Sequence, residues 1–131
     1  MINGKVTTLY LENIQPNDIM YWSATSQCYN EFDITLRDND KIYFNVNKRG
    51  NNPELTNLTN GFAFYEGAGD LRLEIIFYNG GEIVKTANVS GNMLDPESKT
   101  VGTSYTYCLE DATDNDYNDA YVAVIAWRNA N

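Results

Sequence analysis

The chain has 131 residues, enough for one domain with a single core and too few for two. Apolar residues make up 43% and charged residues 21%, the balance of a folded domain rather than a disordered one. With a net charge of −9, nine scattered Lys and Arg side chains and no histidine, the chain lacks the clustered basic surface that a nucleic-acid partner requires, and it offers little to hold zinc or copper.

No apolar run approaches the ~20 residues of a membrane span, so no membrane insertion is expected. Met1 to Tyr10 lack the basic start and continuous apolar block of a signal peptide. In chain order, period-two stretches follow one another and no 3.6-residue period is sustained. Lys5 to Leu11 alternates loosely, Asn13 to Asp18 with Pro16 breaks it, and Asp18 to Ala24 is a second strand. Phe32, Ile34 and Leu36 alternate with Asp33, Thr35 and Arg37, the pattern of a half-buried strand. Arg37-Asp-Asn-Asp-Lys41 is turn chemistry and Ile42 to Val46 returns, which predicts a hairpin.

Lys48 to Asn60, rich in Asn, Gly and Pro, reads as a loop, and Gly61 to Tyr65 as a short strand. Leu71 to Phe77 is a longer strand, and Tyr78-Asn79-Gly80-Gly81 is a hairpin signal that predicts pairing with Glu82 to Ala87. Val89 to Lys99, with Gly91 and Pro96, reads as a second loop, and Thr103 to Leu109 as the next strand. Ala120 to Trp127 is the last strand, β-branched and aromatic, with Ala120, Val122, Val124 and Ala126 on one face and Tyr121, Ala123, Ile125 and Trp127 on the other. A strand apolar on both faces needs cover on both, so part of that cover is expected from a second subunit. About nine short strands with turns between them predict an all-β chain, a single-domain antiparallel β-sandwich over residues 1–131.

Between the last two strands lies Glu110-Asp-Ala-Thr-Asp-Asn-Asp-Tyr-Asn-Asp119, five carboxylates and two amides in ten residues without one basic side chain. Two carboxylates ~5 Å apart repel by roughly 1–3 kcal/mol at effective dielectrics of 20 to 80, so the segment needs solvent, protons or cations to neutralise it. Asp114, Asp116 and Asn118 alternate at i, i+2, i+4 and share one side of an extended backbone. Hard oxygen donors at this density suit Ca²⁺. The EF-hand is excluded: its loop needs Gly at position six and Glu at position twelve, where this chain has Asp119 and Ile125, and a strand follows instead of a helix.

Glu110 to Ala120, followed by a short apolar strand and a Trp, resembles the calcium-dependent fucose- and mannose-binding bacterial lectins of the LecB type, the fucose-binding lectin II family. Leu71 to Gly80 carries a weaker likeness to that family's strand ending in Asn-Gly. The resemblance implies a bacterial, cytoplasmic or exported lectin without an evident signal peptide. It also implies two adjacent Ca²⁺ ions that directly coordinate hydroxyls of a mannose- or fucose-type monosaccharide. Carried over by position, the metal ligands are Glu110, Asp114, Asp116, Asn118 and Asp119, with Thr25 where the family has an Asn. The family's C-terminal carboxylate, given to a neighbouring subunit's site, corresponds here to Asn131, which implies a homodimer or higher homo-oligomer through the C-terminal strand. Asp111, Asp114, Asp116 and Asp119 face the sugar, and Ser26, Gln27 and Cys28 form the turn that sets sugar preference.

In that family the turn lies beside the calcium loop, which leaves two readings of the two cysteines. Cys28 and Cys108 form a disulfide that pins the turn to the loop and implies an oxidising compartment, or they are two unrelated reduced thiols. The alternative to a lectin is a calcium-stabilised structural or adhesion β-module with no sugar ligand. An enzyme is not expected, because nothing separates a proton donor from a nucleophile among acids that all suit a metal.

Overall fold

The computed structural model describes residues 6–78, 85–110 and 119–129, and it contains nine strands and no helix among them. They are β1 (Thr7–Tyr10), β2 (Ile19–Ser26), β3 (Phe32–Arg37), β4 (Ile42–Lys48), β5 (Thr56–Phe64), β6 (Arg72–Phe77), β7 (Lys85–Leu94), β8 (Thr100–Glu110) and β9 (Ala120–Trp127). A four-stranded sheet in the order β1-β6-β3-β4 faces a five-stranded sheet in the order β5-β2-β9-β8-β7, and every pairing is antiparallel. The expected β-sandwich is therefore the observed one.

Alternation decides which side chains meet between the sheets. Phe32, Ile34 and Leu36 of β3 and Leu73, Ile75 and Phe77 of β6 project inward from the smaller sheet, all at or below 1% exposure. Met20, Trp22 and Ala24 of β2 and the even-numbered residues of β9 meet them from the larger sheet. Each fully buried Phe, Ile or Leu stabilises the sandwich by roughly 1.5–3 kcal/mol. Ring contacts fill the layer, with Phe32 against Phe77 at 4.9 Å and Trp22 against Phe44 at 5.5 Å between centroids.

The predicted β3–β4 hairpin is present, and the last strand runs over the predicted residues. Three expectations are corrected. Leu71 to Phe77 does not pair with the segment after Asn79-Gly80: β6 lies between β1 and β3 with both edges taken, and Lys85–Leu94 pairs with β8 in the other sheet. The turn residues themselves lie outside the described residues. The expected loops at Lys48 to Asn60 and Val89 to Lys99 are also shorter than predicted, since β5 begins at Thr56 and β7 runs to Leu94. Both are edge strands, exposed along much of their length, so their polar residues carry no burial pattern that would mark a strand. For β9, one face is buried, while Ile125 and Trp127 on the other are 37% and 39% exposed.

Candidate functional site

Three strands bring the described members of the predicted site, among them Ser26, Gln27, Glu110 and Asp119, to one end of the larger sheet. Ser26 at the end of β2 pairs with Ala120 at the start of β9, and Ala120 pairs with Leu109 near the end of β8. The row continues through the main chain, because Asp119 donates from its amide to the Leu109 carbonyl at 3.1 Å and Gln27 donates to the Asp119 carbonyl at 3.0 Å. The turn after β2 and both ends of the acidic segment are thereby tied together.

Burial makes this end chemically unusual. Glu110 is wholly buried and Asp119 nearly so, although an ionised carboxylate removed from water carries a desolvation penalty of several kcal/mol. Leu109 and Glu110, successive residues of one strand that point to opposite faces, are both at 0% exposure. Ser26 is also wholly buried, and its Oγ has no hydrogen-bond partner among the described residues. Leaving such a hydroxyl unsatisfied costs about 1–3 kcal/mol. The carboxylates of Glu110 and Asp119 are hard oxygens of the kind an oxygen-seeking cation such as Ca²⁺ takes, whereas Ser26, in one register row with Leu109, projects from the opposite face to Glu110.

Of the predicted metal ligands, the described residues include Thr25, Glu110 and Asp119. Glu110 and Asp119 stand at this end, while Thr25 lies one step inside β2, half-buried and on the face opposite Ser26. Asp114, Asp116, Asn118 and Asn131, and the sugar-facing Asp111, lie outside the described residues. Among the described residues no group of three or more His, Cys, Asp or Glu side chains converges as a metal cage. Trp127 is at the opposite end of β9 from Asp119, roughly 26 Å away at 3.3 Å per residue.

Of the two readings of the cysteines, the structure agrees with separate thiols. Cys28 and Cys108 are not bonded to each other. Cys108 projects from the outer face of the sheet, in register with Tyr121 and Thr25, whereas Cys28 is buried in the core and its thiol donates to the Asn30 carbonyl at 3.3 Å. β2 and β8 flank β9 and end on the same side of the sheet, but this did not put the two sulfurs on the same face.

Two residues of this end escaped the sequence reading. Tyr29, 59% exposed, stands in the turn beside Gln27, which is also exposed, and an aromatic residue in an Asn- and Ser-rich turn was the available signal. Lys48 holds the carbonyl of Tyr29 at 2.9 Å from the other sheet, and no local pattern announces such a long-range contact.

Comparison with protein-family models and with curated proteins finds no match. Comparison with solved structures does. The C-terminal domain of the BC2L-C lectin from Burkholderia cenocepacia superposes over 92% of this chain and 95% of its own, with a TM-score of 0.62 at 18% identity. The chain has the fold of a bacterial lectin. Chromobacterium violaceum lectin CV2L, solved in complex with α-methyl-fucoside, covers 92% of this chain and 93% of its own with a TM-score of 0.59 at 19% identity. The Ralstonia solanacearum high-affinity mannose-binding lectin covers the same shares with a TM-score of 0.54 at 20% identity. The likeness spans nearly the whole chain in each case, so it is a likeness of the entire sandwich and not of one hairpin.

Proposed function

We propose that the protein is a calcium-dependent lectin that binds mannose- or fucose-type monosaccharides at the acidic end of the larger sheet and carries out no catalysis. One observation carries the reading: buried Glu110 and Asp119 bound the acidic segment where it meets the Ser26 to Asn30 turn, in a chain that shares its whole fold with solved bacterial lectins. Glu110, Asp114, Asp116, Asn118 and Asp119 would hold two adjacent Ca²⁺ ions, with Thr25 and a neighbouring copy's Asn131 completing the set. Bound calcium supplies open coordination positions for vicinal hydroxyls of the sugar. Asp111, Asp114, Asp116 and Asp119 accept the hydroxyl protons in charge-assisted bonds, which are roughly twice as strong as neutral ones. Gln27 and Tyr29, exposed on the adjoining turn, would touch the parts of the ring that the acids do not reach.

Two bound calcium ions would bring the net charge from −9 to about −5, which favours a compact acidic end and is ordinary for a small soluble domain. A second copy is part of the reading. The outer face of the larger sheet presents Tyr21, Phe62, Ile125 and Trp127 to solvent, an apolar surface that burial against another subunit would remove from water.

The test is a glycan array with and without chelator, followed by retention on mannose- or fucose-agarose. The protein should bind in millimolar Ca²⁺ and elute with EDTA, and Asp116→Ala should lose both calcium and sugar. If calcium raises the melting temperature while no glycan binds, the calcium-stabilised structural module is the right reading. Full retention of sugar affinity in Asp116→Ala places the site elsewhere.

A further inference from the structure

Among the described residues, Lys48 is the one buried basic side chain, at 4% exposure. It closes β4, and no carboxylate among the described residues stands within ion-pair distance of it. Its ammonium instead donates to three main-chain carbonyls: Tyr29 at 2.9 Å, Gly50 at 2.7 Å and Asn52 at 3.1 Å. An ammonium has three protons and no acceptor capacity, so three carbonyls satisfy it completely. A lysine is seldom enclosed without a charge partner, and a loop crossing could be packed with an apolar residue at far smaller desolvation cost. The three acceptors explain why an ammonium is tolerated here; what they join indicates its use.

Gly50 and Asn52 belong to the loop after β4, and Tyr29 belongs to the turn after β2. The same loop holds that turn a second time, since the Gly50 amide donates to the Glu31 carboxylate at 2.8 Å. Gly50 serves both bonds from a left-handed backbone, φ +88°, that favours glycine. On its other side the turn is tied to the acidic segment through Gln27 and Asp119. Residues 27–31 form no strand, so these ties set where the turn stands.

Resting on the sugar-binding reading above, we infer that Lys48 is a positioning residue for sugar affinity: its ammonium fixes the main chain at Tyr29 and so holds Gln27 and Tyr29 beside the acidic segment. Calcium affinity, which the acids of residues 110–119 carry, does not depend on it. Lys48 contacts no sugar itself.

The test uses the full chain with Lys48→Met, which keeps the length of the stem and removes the donors, and Lys48→Ala. Lys48→Met should weaken binding of methyl mannoside or methyl fucoside about tenfold, whichever the wild type prefers, with calcium affinity unchanged within about twofold. In Lys48→Ala the three carbonyls are left open to a small cation. Ammonium chloride should then restore part of the sugar affinity where lithium chloride at equal ionic strength does not, a rescue that general loss of stability would not produce. Sugar affinity equal to wild type in Lys48→Met overturns the inference, and so does a parallel loss of calcium and sugar affinity. If Lys48→Met does not fold, Glu31→Gln loosens the same turn through Gly50, and unchanged sugar affinity there overturns it as well. Should the wild type bind neither glycoside, the functional reading is what has failed. Amide exchange at Gln27 then judges the clamp: about tenfold faster in Lys48→Met supports it, and an unchanged rate overturns it.

Discussion

Gly102 stands in β8 opposite Trp127 of β9, at a place where the two backbones leave no room for a side chain. A methyl group there would sit 2.6 Å from the Ala126 carbonyl oxygen and 3.2 Å from the Cα of Trp127. These are main-chain atoms of a paired strand, so relief requires the β8–β9 ladder to shift. Gly102→Ala should therefore cost about 1–3 kcal/mol, read as a lower urea midpoint with an unchanged slope. Stability within about 0.5 kcal/mol of wild type would show that the ladder yields easily. Nothing in the local sequence Thr100-Val-Gly-Thr103 marks this glycine, because the main-chain atoms that exclude a side chain come from residues 24 and 25 positions away and the side chain that crowds it, Met93, from nine positions away. The same holds for Lys48, whose role depends on a carbonyl 19 positions earlier in the chain. Glu110 and Asp119 differ: their clustering with other acids made them visible as candidates before any fold was known.

At the scale of elements, the β3–β4 hairpin was legible because both its faces and its turn have local causes. Asp38 is wholly buried at the turn, where Oδ1 accepts from the amides of Asp40 at 2.9 Å and Lys41 at 2.8 Å and Oδ2 accepts from the Tyr43 hydroxyl at 2.8 Å. Burial pushes its carboxyl up, but the hydrogen bonds from Asp40, Tyr43, Lys41 and the Ala68 backbone together outweigh it and hold the pKa below the usual value. A carboxyl lowered in the folded state contributes stability that is present above its unfolded pKa, near pH 4, and lost as pH falls through the folded value. Asp38→Asn should cost about 1–3 kcal/mol at neutral pH, and the gap between wild type and variant should narrow as pH falls below about 4. Thermal melts from pH 7 down to pH 2 measure it, and parallel curves for the two proteins would rule out Asp38 as the titrating group. Hairpin signals were less reliable where tertiary competition entered. Asn79-Gly80 announces a turn, but a turn does not say which strand's edge is vacant, and both edges of β6 are filled by β1 and β3. Strand limits were missed at β5 and β7 for a related reason, since at a sheet edge a strand needs hydrogen bonds on one side and little apolar burial.

Across the whole molecule, the larger sheet is apolar on its inner face and partly apolar on its outer one. Phe62, Tyr21 and Ile125 lie in one register row across β5, β2 and β9, and Phe64, Ile19 and Trp127 in the next. Removal of such a surface from water is worth roughly 25 cal/mol per Å², enough for a second copy to offset the repulsion between two acidic chains. In light scattering after gel filtration in Ca²⁺, the wild type should elute as a dimer or higher oligomer. Ile125→Glu should shift it to the monomer with its melting transition retained. A wild type that is monomeric at tens of micromolar, or an Ile125→Glu variant of unchanged mass, would remove this face from consideration as the interface.

The sequence by itself determined the class of fold and the strands whose side chains alternate, and it singled out the acidic segment as the candidate site, because period-two burial and like-charge crowding act between neighbours in the chain. Only the tertiary structure decided which sheet each strand joins, that Cys28 and Cys108 stay apart on different sides of a sheet, and that a lysine from the opposite sheet holds the turn beside the acids. These outcomes depend on which edges and carbonyls remain available once the core has closed, and that is set by contacts between residues far apart in the chain.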